Sequence, residues 1–126
     1  MSALNPWARE WLNSKAITDA TIDRLGIRTS ENRLGAVFIP WRDVTFPNGF
    51  VEYIHPDYRD QHGGSKSKMP KGQNGLSFAR TVEGSRKFLV VEGIGQHLAA
   101  ASWAPPEWNV VGMNGIKGVH GETQNG

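Results

Sequence analysis

A chain of 126 residues with 38% hydrophobic content holds apolar material for one core and not for two. It has no cysteine, which excludes disulfides and thiolate-held zinc or iron–sulfur sites and makes a reducing cytoplasm the expected compartment. Its net charge of +2 points to no partner by size alone. Trp7, Arg9, Glu10 and Trp11 interrupt any signal-like apolar run, and no stretch approaches the roughly 20 apolar residues that span a bilayer, so a non-exported, non-membrane protein is expected.

The opening reads as two short helices. Asn5 serves as N-cap with Pro6 at the first helical position, and Trp7 and Trp11 share a face four residues apart before Asn13 and Ser14 end the helix. Thr18 caps the second helix, expected over Asp19 to Leu25. Ile17 is placed to staple onto Ile22, and Gly26 stands where the chain needs a left-handed residue. Helices this short must dock on something larger.

From Leu34 the period changes. Val37, Phe38 and Ile39 form a strand that Pro40 ends, Phe50 to His55 alternate as a second, and Pro47-Asn48-Gly49 turns the hairpin between them. Residues 56–75 are almost wholly polar apart from Tyr58 and Met69, which predicts a mobile surface loop. A short strand follows at Leu76 to Ala79.

Phe88 to Val91 is an unbroken apolar run, the pattern of a strand covered on both faces, and Glu92-Gly93 ends it. Gln96 to Trp103 reads as a helix stopped by Pro105-Pro106, and Trp108 to Met113 as another strand before Asn114-Gly115. The result is a β-α-β unit with parallel strands. Val119 to Gly126 reads as a frayed tail.

Charge is uneven along this frame. Arg59, Lys66, Lys68, Lys71, Arg80, Arg86 and Lys87 face only Asp57, Asp60 and Glu83 in the middle of the chain, whereas charges in the first half cancel. Such a block is either a solvated surface or a phosphate-contacting one, which positions nucleic acid without reading its sequence. The indoles are expected mainly in the core; Trp41, beside Arg42, is the one singled out as a base-stacking candidate. His55, His62, His97 and His120 have no ligand spacing, and Gly93-Ile94-Gly95 lacks both the third glycine of a dinucleotide fingerprint and the P-loop lysine.

A glutamate straight after a buried parallel strand, then glycine and a helix, sits at the carboxyl edge of a sheet, where open α/β folds bind ligands. Val90-Val91-Glu92-Gly93 with the small-residue helix after it resembles the glutamate motif of the TOPRIM domain shared by primases and topoisomerases. Upstream, Gly35-Ala36-Val37-Phe38-Ile39-Pro40-Trp41-Arg42-Asp43 and Gly49-Phe50-Val51-Glu52-Tyr53 are similar to the DNA primase core of phage- and plasmid-type proteins. The resemblance implies a catalytic role for Glu92 near divalent magnesium. It also implies a template groove lined by basic residues, with Arg59 and Lys68 the nearest matches to the family's arginine and lysine. Two departures stand beside it: Gln96 replaces the usual aspartate four residues after the glutamate, and the paired aspartates of the next strand are not in this sequence.

The fold expected is therefore α+β: a helical lead (1–33), a primase-core-like β region with a basic loop (34–86), a partial TOPRIM β-α-β (87–118) and a tail (119–126), in one compact unit. The function expected is binding of single-stranded DNA or a primer-template in phage or plasmid replication, through Arg42, Arg59, Lys66, Lys68 and Lys71. Glu92 is the catalytic and metal-ligand candidate only if a partner chain supplies the missing acidic strand, Mg²⁺ being the cofactor then implied; a replication protein or helicase is a further candidate partner. The alternative is a small protein-interaction module or inhibitor on a truncated primase scaffold, pairing through an edge strand at Val110 to Met113.

Overall fold

The computed structural model describes residues 4–62, 64–73 and 75–114, and the expected tail lies outside them. Helix α1 (Pro6–Ser14) starts with proline at its first turn, while the Asn5 amide donates to Thr29 Oγ1 at 2.7 Å. Helix α2 (Asp19–Leu25) is capped by Thr18, whose hydroxyl accepts from Thr21 N at 3.3 Å, and ends at Gly26 with φ of 73°. Arg9 pairs with Asp19 at 2.8 Å and Asp23 at 3.4 Å, tying the helices together and holding the Asp19 carboxyl below its usual range. Ile17 and Ile22 are both buried, each contributing about 2 kcal/mol by leaving water.

Strand β1 (Arg28–Thr29) lies inside the segment read as purely helical. It pairs antiparallel with β2 (Ala36–Pro40), which pairs with β3 (Phe50–Ile54) from Ala36↔Ile54 to Pro40↔Phe50. The hairpin connection holds two turns, with Phe46 N donating to Asp43 Oδ1 at 2.9 Å and Gly49 N to Phe46 O at 3.0 Å. Strand β4 (Ser67–Lys68) completes an antiparallel sheet in the order β1-β2-β3-β4.

β4 corrects the expectation of a mobile loop. The described residues within 56–75 gain order from backbone and amide bonds rather than apolar burial: 3₁₀ turns at Pro56–Tyr58 and Asp60–His62, the pairs Glu52↔Lys68 and Tyr53↔Ser67, and a Gln73 side chain bonded to the backbone of Trp41 and Phe50.

The second sheet holds β5 (Leu76–Arg80), β6 (Phe88–Glu92) and β7 (Asn109–Met113) in the order β5-β7-β6, antiparallel between β5 and β7 and parallel between β6 and β7. Helix α3 (Ile94–Trp103) joins the parallel pair as expected, starting two residues earlier than the sequence indicated. Three readings change here. β5 belongs with the β-α-β unit rather than with the hairpin region. β7 is the central strand, so Val110 to Met113 offers no free edge. β6 is an edge strand open on one face: Phe88 and Val90 are each 52% exposed, because α3 covers only the face carrying Leu89 and Val91.

α3 lies between the sheets. Its Ile94 and Leu98 join Leu12, Ile22, Val37, Ile39, Trp41, Val51 and Tyr53 in the main core, while Ala101 packs with Ala79 and Val110. No helix among the described residues is long and apolar enough to cross a membrane.

Candidate nucleic-acid interface

The candidate rim begins where β6 stops. Glu92, exposed, aligns with Met113 of the central strand, and the following Gly93 amide donates to Met113 O at 2.9 Å. Gly93 has φ of 98°, a conformation glycine adopts freely, and a Cβ there would overlap the Gln96 amide oxygen folded back over it. The glutamate thus projects from a strand tip at the start of α3, as the sequence indicated, but from an edge strand and not an interior one.

The basic strand meets this tip. One residue past β7, Asn114 Nδ2 donates to Ser67 Oγ at 3.5 Å, holding β4 against the same end of the second sheet. Lys66 joins Lys15, Tyr53, Gly95, Gln96 and Ala99 around a hollow of about 350 Å³ at the first turns of α3. Two cations line it and no carboxylate does. Lys15 also lies 5.8 Å from the Trp11 ring centroid and 5.7 Å from that of Tyr53. Sequence reasoning missed Lys15, whose one available signal was a lone lysine at a helix end.

The remaining basic candidates follow the edge of the first sheet. Arg59 closes the first 3₁₀ turn beyond the Ile54 end of β3, Lys66 O accepts from Ile54 N at 2.8 Å, and Lys68 lies beside Glu52. Lys71 precedes the Gln73 bridge, which returns the chain to the Phe50 end and to Trp41, next to Arg42. Glu52 does not neutralise Lys68. Its carboxylate is buried and already accepts from Arg33 Nε at 2.9 Å and Ser30 Oγ at 2.6 Å. None of Arg42, Arg59, Lys66, Lys68 and Lys71 enters an ion pair among the described residues, and neither does Glu92.

Arg42 stands at the far end of this run. With Arg24, Pro40, Ser77 and His97 it lines a second cleft of about 200 Å³, where its carbonyl accepts from Phe78 N at 3.3 Å and stitches the sheets together. Arg24 was not singled out in the sequence. Trp41 is fully buried, its ring 4.9 Å from that of His97, so it cannot stack a base; the exposed indole is Trp103, at 68%. Arg80 is also withdrawn from the basic block, turned onto the carbonyls that end α3.

Magnesium requires several oxygen donors at once. Glu92 brings one carboxylate, the residue a helical turn later is Gln96, and among the described residues no three histidine or acidic side chains converge. The donor set does not fit the metal. No protein-family model, curated protein or solved structure matches the chain.

Proposed function

We propose that this chain is a primase-derived module that binds single-stranded DNA or a primer-template along the β4 edge, in a phage or plasmid replication setting. One observation carries the reading: Lys66, Lys68 and Lys71, free of ion pairs among the described residues, follow an edge strand held beside the Glu92 tip by Asn114 and Ser67. Lys68 lies within β4 and Lys66 at the bend just before it, so two cations two residues apart open the same edge. Contacts of this kind give affinity without sequence preference. Glu92 has no catalytic task in this reading, because its neighbours supply no second carboxylate.

The test is fluorescence anisotropy with a labelled oligothymidine. Five phosphate contacts on a single strand give a log–log salt slope near −3.5, so affinity should fall about 100-fold between roughly 50 and 200 mM salt. Replacing Lys66, Lys68 and Lys71 together by alanine should flatten the slope by about 2. Binding that ignores salt, or survives the triple replacement with an unchanged slope, overturns the proposal.

A second reading, a protein-interaction module, is favoured by a separate observation: Phe78, Phe88 and Val90 leave an apolar face and strand edge open on the second sheet. Its sign would be complex formation indifferent to salt.

A further inference from the structure

Among the described residues, strand β6 is hydrogen-bonded on one side only, to β7. The Lys87 carbonyl accepts from Asn109 N at 2.8 Å and Gly93 N donates to Met113 O at 2.9 Å, so residues 87, 89, 91 and 93 turn their backbone groups toward β7. By alternation, Phe88, Val90 and Glu92 turn theirs outward. The devices that usually blunt an edge are missing: the strand has no proline, no bulge and no charge between Phe88 and Val91.

The same alternation sorts the side chains. Val91 aligns with Gly112, which lies against His97 of α3, so the odd residues face the helix. Phe88, Val90 and Glu92 share the open face, and continuing the alternation back places Arg86 with them. Phe88 and Val90 are each 52% exposed, and neither Arg86 nor Glu92 has an ion-pair partner among the described residues.

This outward row reads cation, phenyl, isopropyl, anion, and it is complementary to its own reverse. We propose that two copies of the chain associate by antiparallel pairing of β6 with β6, about a two-fold axis at Leu89. In that register Arg86 lies opposite Glu92 of the second copy and Phe88 opposite Val90 of the second copy, each relation occurring twice, as an isologous contact requires. Phe88 and Val90 carry outward backbone groups, so that facing pair exchanges hydrogen bonds, and two ion pairs bracket the apolar centre. Moving the axis to Val90 sets Glu92 against Phe88 and strands Arg86, so charge selects the first register. The product is a continuous six-stranded sheet. Glu92 is then an ion-pair partner, a use open to a carboxylate without metal-binding neighbours.

Sedimentation equilibrium of the full chain tests this. An interface of one short strand belongs to the weak class, with a Kd on the order of 10 µM. Val90→Lys should weaken association at least tenfold; because Val90 is half exposed the variant should fold, which circular dichroism checks. Arg86→Glu and Glu92→Lys should each fail to self-associate, yet an equimolar mixture should form heterodimers, since each copy then offers what the other lacks. Leu89→Cys supplies a single thiol in a chain with none, and a two-fold pair with Cα atoms about 4.5 Å apart should oxidise to a covalent dimer. A wild-type chain that stays monomeric at about 500 µM, far above that Kd, overturns the proposal. So does a dimer indifferent to Val90→Lys, or charge variants that fail to rescue each other.

Discussion

His97 Nε2 lies 3.1 Å from Ser77 Oγ, and this contact joins the helix between the sheets to the edge strand β5. The imidazole stands directly on Gly112, where any Cβ would overlap it, and meets the Trp41 ring edge-on. Leu25, Pro40 and Leu98 close the same region. The residue is 1% exposed, so the imidazole packs as part of the core between α3 and the sheets.

Burial holds that imidazole down at about 4, because the charged form would lose its water. As pH falls, the unfolded chain takes up the proton near 6.5 while the folded chain resists. Stability from this residue is therefore complete above about pH 6.5, declines between about 6.5 and 4, and levels off below. The expected loss is about 2.5 kcal/mol by about pH 4.5. Urea unfolding of the wild type and of His97→Gln across that interval checks it; equal pH dependence in the two proteins would refute the assignment.

Much of this frame was readable before any coordinates. Thr18 and Gly26 bound α2 because capping and left-handed backbone are local chemistry, and the β-α-β order follows from where the apolar period breaks at Gly93 and Pro105. What escaped was set by distant partners. Arg28–Thr29 and Ser67–Lys68 are strands only because β2 and β3 offer free edges beside them, and neither dipeptide has a pattern of its own. Phe88 to Val91 read as doubly covered because apolar composition records affinity for burial and not whether a second layer is present. The rim was half legible. Its lysines stood out as a run, whereas the role of Asn114 and Ser67 in pinning them, and the loss of Arg80 to a helix end, depend on contacts far apart in the chain.

Arg80 gives a prediction that separates charge from structure. Its Nη2 donates to Ala101 O at 3.0 Å, and its Nη1 donates to Pro105 O at 2.7 Å and Ala104 O at 3.2 Å, so one guanidinium satisfies carbonyls that the end of α3 leaves open. Arg80→Ala should cost about 2 kcal/mol of stability. Lysine should recover only part of this, since it lacks the planar fork. The salt slope of nucleic-acid binding should not move in either variant, although the residue belongs to the basic block of the sequence. A flattened slope would place Arg80 on the phosphate path and contradict its inward orientation.

Gln73 gives the last prediction, because it holds the far end of the basic strand by amide bonds alone. Its Oε1 accepts from Phe50 N at 3.3 Å, and its Nε2 donates to Phe50 O at 3.2 Å and Trp41 O at 3.4 Å. The turn from Pro70 to Gln73 is thereby fixed against the end of the β2–β3 hairpin, with Lys71 inside it. Gln73→Ala should destabilise this corner by about 1.4 kcal/mol, which raises amide exchange at Phe50 roughly tenfold through local opening. Exchange at Val51 and Tyr53, deeper in the sheet, should change little. Gln73→Glu keeps the acceptor for Phe50 N but loses both donors, so it should fall between the wild type and alanine. Placement of Lys71 rests on the same bridge, so the alanine variant should also bind the labelled oligonucleotide a few-fold more weakly at low salt, with no change in Arg42→Ala controls beyond their own effect. Unaltered Phe50 exchange in Gln73→Ala would show that the polar segment is ordered by something other than this side chain.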